Sequence, residues 1–152
     1  MSFACVVDAS VGVKLFLSEP LTERAEALFA GLTEDPPAHL YAPDLFYAEC
    51  ANILWKQVGR YGYPADQARQ DIEALARLPL RVAPARALAT EALTLALTYG
   101  ITAYDALYAT LAQQVGAPLV TADDALTQRL QRSSIQVCRL QDWPAASRGY
   151  AP

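Results

Sequence analysis

The chain has 152 residues, of which 53% are hydrophobic and 18% are charged, and its formal net charge is −4. This composition excludes a disordered chain, and the length predicts one domain that buries about two-thirds of its unfolded surface. The negative charge argues against a simple basic DNA-binding module. It argues less against a metal-dependent nuclease, because clustered acids that bind cations make the formal sum misleading.

The sequence carries no sign of membrane insertion or export. No apolar run approaches the roughly 20 residues that a membrane helix needs, and the N-terminus MSFACVVDAS lacks the basic start of a signal peptide. Cys5, Cys50 and Cys138 form no CxxC motif and cannot all pair, which predicts reduced, buried thiols in a cytoplasmic protein. A single histidine, His39, makes a zinc site improbable.

Short apolar runs alternate with longer helical segments along the chain. In chain order, the apolar runs predict strands at 3–7, 40–42 (an edge-like strand), 80–82, 119–121 and 135–138. The other segments predict helices at about 10–17, 21–32, 43–59, 66–77, 84–99, 102–115 and 125–130. This alternation predicts an α/β fold with a parallel sheet and helices on both faces, but it does not fix the strand order. We expect the domain to span 1–142, followed by a C-terminal tail at 143–152.

Three aspartates fall where a strand ends or a helix begins. Asp8 follows the first strand, Asp105 lies in the first turn of a helix, and Asp123 follows the strand at 119–121. Each has an ordinary explanation as a helix cap or turn residue, and Thr102 with Asp105 forms the T-x-x-D variant of a capping box. These positions are also where an open α/β sheet binds ligands, in the crevice beyond the carboxyl ends of its strands.

Glu49 has no such explanation, because it lies in mid-helix within FYAECANILW. It shares a helical stripe with Asn52, and that stripe offers no basic partner before Lys56. An unpaired buried carboxylate costs several kcal/mol, so Glu49 needs a partner. If it joins the three aspartates, a hard divalent ion such as Mg²⁺ or Mn²⁺ is the natural remedy for their repulsion. The acids therefore predict metal-assisted chemistry on a phosphoryl group.

Four segments, VVDAS, PDLFYAECANIL, TAYDALYATLA and LVTADDAL, make the chain resemble a PIN-domain ribonuclease, most closely the VapC-type toxins of type II toxin–antitoxin pairs. The resemblance covers nearly the whole chain. It implies a three-layer α/β/α PIN-like fold with four to five parallel strands, Mg²⁺ or Mn²⁺ at the acids, and hydrolysis of RNA. The catalytic and metal-binding positions it implies are Asp8, Glu49, Asp105 and Asp123. The supporting positions it implies are Ser10, Asn52 and Thr121.

The resemblance also implies three partners: an RNA substrate, a small antitoxin whose segment lies beside the acids, and a second copy of the chain. Lys14, Lys56 and Arg60 lie on helices that follow or carry site residues, so they are candidates to hold RNA phosphates, with solvated surface charge as the alternative. Aromatic residues crowd between Tyr41 and Tyr63, which indicates either a well-filled core or a partner interface.

Two other functions stay open from the residues alone. One is a metal-dependent nuclease or phosphatase acting on DNA, and the other is a non-catalytic PIN-fold module for protein association. The complete acidic set argues against the second. Tyr104 and Tyr108 flank Asp105 and either could stack on a base, although we expect core packing for at least one of them.

Overall fold

The structure is a computed structural model that describes residues 2–144. Its strands are β1 (Ala4–Val7), β2 (His39–Pro43), β3 (Arg81–Ala83), β4 (Leu119–Thr121) and β5 (Val137–Arg139). Its helices are α1 (Ala9–Gly12), α2 (Thr22–Ala30), α3 (Leu45–Tyr61), α4 (Ala65–Arg77), α5 (Ala85–Tyr99), α6 (Ala103–Val115) and α7 (Asp124–Arg129). Short 3₁₀ turns follow α1, α2 and β5, at Val13–Leu15, Gly31–Thr33 and Leu140–Asp142.

The five strands form one parallel sheet in the order β3-β2-β1-β4-β5. From β1 the chain passes to β2 and then to β3 at one edge of the sheet. It then crosses back to β4, on the other side of β1, and continues to β5 at the opposite edge. Because parallel crossovers are right-handed, α1 to α4 cover one face and α5 to α7 cover the other. The three-layer α/β/α prediction is thereby confirmed.

The prediction that the second strand is edge-like was wrong. β2 lies between β1 and β3, and its Leu40 and Ala42 are fully buried, whereas the edges are β3 and β5. The sequence was misleading because His39 and Tyr41 alternate with these apolar residues and are only partly buried. The Arg81 guanidinium from the neighbouring edge strand lies over the Tyr41 ring, 5.7 Å from its centroid.

Helix α6 is the central helix of the fold. Seven consecutive residues, 106–112, are buried, so the helix is covered on all sides rather than along one stripe. It packs against β1, β2 and β4 and against α5. Thr102 caps its start by accepting a hydrogen bond from the Asp105 N–H (3.1 Å), and Gly100 before it is left-handed with φ 66°. The core thus fixes the place where Asp105 begins its helix.

Close contact between α1 and α3 depends on Gly12. A Cβ at this position would lie 2.6 Å from Phe46 Cζ and 2.9 Å from Phe46 Cε2. Phe46 is fully buried, so its ring cannot turn aside into solvent. Because α1 follows Asp8 and α3 carries Glu49, this contact sets the spacing between two of the predicted site acids.

Replacing Gly12 with alanine should therefore destabilise the protein by about 1–3 kcal/mol, the usual effect of overpacking a core. Gly59 offers a matched control, since it also lies in a helix but nothing lies within 4 Å of the added Cβ. Gly59→Ala should stabilise by up to about 1 kcal/mol through helix propensity. Urea unfolding of both variants would check this, and equal effects of the two substitutions would contradict it.

The predicted boundary at 142/143 falls beside a core residue. Trp143 is buried, and its ring meets that of Phe3 edge-on with centroids 5.0 Å apart. The rest of the predicted tail, 145–152, lies outside the described residues. No helix within residues 2–144 is long and apolar enough to cross a membrane. All three cysteines are buried free thiols.

Candidate active site

The acids gather where the strand order of the sheet reverses. Connections leave β1 and β4 in opposite directions, which opens a crevice beyond the carboxyl ends of these two neighbouring strands. Asp8 directly follows β1, and Asp123 lies two residues beyond β4. Asp105 in the first turn of α6 and Glu49 in the middle of α3 both lie near Asp8, whose charge adds to the effect of burial on the pKa of each.

Asp8 is the anchored member of this set. It is buried, and the Ser10 and Thr121 hydroxyls each donate to its Oδ2 atom at 2.8 Å. The same hydroxyls accept hydrogen bonds from backbone N–H groups, Ser10 from Ala122 (3.1 Å) and Thr121 from Asp123 (3.0 Å). Because a hydroxyl has a single proton, both protons are directed at Asp8. The carboxylate is held through one oxygen, which leaves Oδ1 free of both hydroxyls.

The carboxyl groups share one electrostatic environment. Burial raises the pKa of Asp8 most, the Ser10 and Thr121 hydrogen bonds oppose that rise, and the charge of Asp123 adds to it. Burial and then the charges of Asp8 and Asp123 raise the pKa of Asp105 from its ordinary 3.8 to about 6. Burial also raises the pKa of Glu49, with smaller contributions from Asp8 and Asp105. The charge of Asp8 therefore acts on both Asp105 and Glu49.

Among the described residues, no basic side chain forms an ion pair with a site acid. The ion pairs found among residues 2–144 are Lys14–Glu19, Arg69–Asp66, Arg77–Glu73 and Arg139–Asp142, and none includes a site acid. The Oε1 atom of Glu49 is buried and has no hydrogen-bond partner. An all-oxygen donor set with an unpartnered carboxylate oxygen fits a hard divalent cation. In the described part of the chain, no three His, Cys, Asp or Glu side chains are close enough together to form a ready-made metal site.

Comparison with known proteins identifies the family of the chain. The PIN domain family matches residues 5–130 of the sequence. Over 126 residues the chain is 35% identical to Ribonuclease VapC3 of Pyrobaculum aerophilum. The aligned region covers 82% of this chain and 92% of that protein. The chain belongs to the PIN-domain family. The resemblance inferred from the four sequence segments is thereby confirmed.

The fold is also similar to that of solved PIN-like structures. PAE2754 from Pyrobaculum aerophilum matches with a TM-score of 0.67 and 26% identity, covering 93% of both chains. A toxin–antitoxin complex from Klebsiella pneumoniae matches with a TM-score of 0.60 and 17% identity, covering 90% of this chain and 97% of that chain. PIN-domain ribonucleases are generally metal-dependent.

The remaining predicted positions of this PIN domain differ in how they relate to the acids. Asp123 is exposed and caps α7, accepting a hydrogen bond from the Leu126 N–H (3.1 Å) through Oδ1, so it combines a structural role with its place beside the acids. Asp124, by contrast, simply begins that helix. Asn52 is exposed, and no hydrogen bond within residues 2–144 joins it to a site carboxylate. Its supporting role stays a prediction.

The predicted RNA-binding residues do not behave alike. Lys14 forms an ion pair with Glu19 (3.0 Å), and its side chain is only 13% exposed. Its positive charge is therefore already neutralised by Glu19. Lys56 and Arg60 are exposed, and at helical spacing they continue the α3 face that carries Glu49.

Sequence reasoning missed the importance of Tyr108. Tyr104 is 64% exposed, but Tyr108 is fully buried beside Glu49. The available signal was its spacing, three residues after Asp105 and so on the same side of α6.

The raised pKa values predict an unusual pH dependence of stability. Asp105 binds its proton more tightly when folded, so stability should rise as the pH falls from 8 toward about 5, and Asp8 and Glu49 act in the same direction. After allowance for partial exposure, Asp105 should contribute about 1 kcal/mol, or roughly 2–4 °C in melting temperature. Thermal melts in EDTA across this range would measure the effect. A flat profile, or the same slope in Asp105→Asn, would contradict it.

Proposed function

We propose that this PIN domain is an endoribonuclease that requires Mg²⁺ or Mn²⁺ and acts as the toxin of a toxin–antitoxin pair. The observation that carries the proposal is the acidic crevice, in which two hydroxyls fix Asp8 and no ion pair within residues 2–144 includes a site acid. Burial and then the charges of neighbouring carboxylates raise the pKa of Asp105 to about 6. The relative of 35% identity is named a ribonuclease, which supports RNA as the substrate.

The role that we propose for each acid follows from its burial. Asp8, Asp105 and Glu49, which are buried or half-buried, would hold the cation. A bound Mg²⁺ or Mn²⁺ supplies positive charge to the phosphoryl oxygens and acidifies water. Ser10 and Thr121 keep the Asp8 carboxylate in one orientation. The exposed Asp123 orients the attacking water at the mouth of the crevice, and in-line attack leaves a 5′-phosphate and a 3′-hydroxyl.

The direct test incubates purified protein with RNA and DNA of the same sequence, with Mg²⁺, with Mn²⁺ or with EDTA. We expect cleavage of RNA only, dependent on the metal and absent in Asp8→Asn. Cleavage of DNA in preference to RNA would favour the alternative of a DNA nuclease. Calorimetry that detects no Mn²⁺ binding, together with intact RNA, would favour a non-catalytic interaction module.

The exposed cations on α3 should contribute to RNA binding. Lys56→Ala and Arg60→Ala, each made in an inactive Asp8→Asn background, should weaken RNA binding and each lower the salt dependence of the binding constant by about 0.7–1 in log–log slope. Fluorescence anisotropy over a range of salt concentrations would measure this. Arg77→Ala is the matched control, since Arg77 is exposed and ends α4 near the start of β3, away from the acids. An equal loss in the control would show that only net charge matters.

We also propose that the protein is cytoplasmic, as its buried free thiols suggest, and that it binds an antitoxin and forms a homodimer. The aromatic residues of α3 differ in exposure: Phe46 is fully buried, but Trp55 and Tyr61 are 70% and 74% exposed. Exposed aromatic residues of this size are typical of interfaces. Light scattering would measure the oligomeric state. Co-purification with the product of an adjacent reading frame, and rescue of growth arrest by it, would test the antitoxin.

A further inference from the structure

Two buried polar atoms near the crevice have no hydrogen-bond partner. One is Oε1 of Glu49, and the other is the hydroxyl oxygen of Tyr108. Tyr108 is fully buried, and an unsatisfied buried hydroxyl generally costs about 1–3 kcal/mol. A fold that places such a tyrosine beside an unsatisfied carboxylate needs a reason other than packing, for which phenylalanine would suffice.

The two groups lie close enough to influence each other. The Tyr108 hydroxyl partly offsets the rise in the Glu49 pKa, although neither unpartnered atom has a hydrogen bond of good geometry. Burial, followed by the charges of Asp8 and Glu49, raises the pKa of Tyr108, so the hydroxyl keeps its proton. Its environment is therefore apolar on the ring side and negative on the hydroxyl side. The Tyr108 hydroxyl is thus buried near two carboxylates without a hydrogen bond to either.

We propose that Tyr108 is a positioning residue for Glu49: its hydroxyl donates to the ionised Glu49 carboxylate and holds the other oxygen toward Asp8 and Asp105. The inference rests on the proposed metal-dependent function, because Glu49 must be ionised to hold a cation. Glu49 is carried on α3, whereas Asp105 begins α6. A hydrogen bond from Tyr108 on α6 would therefore tie the glutamate to the helix that presents Asp105. Groups that orient metal ligands in this way typically change metal affinity roughly 10–100-fold.

The test compares Tyr108→Phe with a matched control, Thr110→Val. The Thr110 hydroxyl is also buried on α6 without a partner, but it is not among the groups that influence the acids. Each substitution removes one unsatisfied hydroxyl and keeps the shape, so neither should lower the melting temperature. In calorimetric titrations with Mn²⁺, Tyr108→Phe should bind roughly 10–100-fold more weakly than the wild type. Thr110→Val should bind like the wild type.

A double-mutant cycle with Glu49→Gln separates positioning from general disruption. If Tyr108 acts through Glu49, Tyr108→Phe should have little further effect on Mn²⁺ affinity in the Glu49→Gln background. Unchanged Mn²⁺ affinity in Tyr108→Phe would overturn the inference, and so would an equal loss of affinity in the wild-type and Glu49→Gln backgrounds. In either case, RNA cleavage by the wild type would leave the proposed function intact. A wild-type protein that neither binds Mn²⁺ nor cleaves RNA would overturn both.

Discussion

Replacing Asp105 with asparagine should greatly slow RNA cleavage and at the same time raise the melting temperature of the metal-free protein. The amide keeps the shape but removes a half-buried negative charge beside Asp8 and Asp123. Burial first, and then repulsion by these two carboxylates, raise the pKa of Asp105 to about 6. Loss of a metal ligand worth several kcal/mol in the transition state corresponds to a fall in rate of about 10²–10³-fold. Relief of repulsion should stabilise the half-buried site by about 1 kcal/mol, or roughly 2–4 °C.

Single-turnover cleavage and thermal melts in EDTA would measure the two effects on the same preparations. Asp66→Asn is a suitable control, because Asp66 is also an aspartate in the first turn of a helix but its side chain is 91% exposed. It should change stability by less than about 0.5 kcal/mol and leave cleavage unaltered. An Asp105→Asn enzyme that cleaves at the wild-type rate would remove Asp105 from the site. A lower melting temperature would instead contradict the electrostatic account.

Thr121→Val is expected to have the next largest effect. The substitution keeps the volume of a fully buried side chain but leaves Asp8 Oδ2 with one hydroxyl donor and the Asp123 N–H without its acceptor. We expect roughly 10–100-fold weaker Mn²⁺ binding, with a similar loss of cleavage. The unsatisfied backbone group should also lower the free energy of unfolding by about 1–3 kcal/mol.

Calorimetry and urea unfolding would check the Thr121 prediction. Ser10→Ala removes the other hydroxyl from Asp8, but Ser10 is partly exposed, so water can replace it and the stability loss should be smaller. Thr98→Val serves as the control for loss of a threonine hydroxyl, because Thr98 is exposed on α5 and bonds only the carbonyl of Thr94 (2.8 Å). Unaltered Mn²⁺ affinity in Thr121→Val would refute a role for this hydroxyl in orienting Asp8.

Much of this fold could be predicted from local sequence patterns. The apolar run before Asp8 and the Thr102 cap are each determined by residues next to them, and the structure has each where it was predicted. Such signals fix where an element begins and which way its side chains face. They also located the acids, because strand ends and helix starts converge in a parallel sheet.

What could not be predicted depends on residues far apart in the chain. The interior position of β2 follows from the strand order, which alternation leaves open. The pairing of Lys14 with Glu19 and the exposure of Asn52 depend on which element lies above each helix face. Tyr108 illustrates the limit best: spacing gives its side of α6, but only the packed structure brings its hydroxyl to Glu49 on another helix.

The hydrogen bond between Thr121 and Asp8 joins residues that are 113 positions apart. During translation, the first aspartate leaves the ribosome long before the threonine that orients it, and β4 must then insert beside a strand made at the very start. An interrupted or prematurely terminated polypeptide therefore lacks a finished cleavage centre. For a nuclease of the proposed kind, this order of synthesis delays the onset of activity until β4 has been made and has paired with β1.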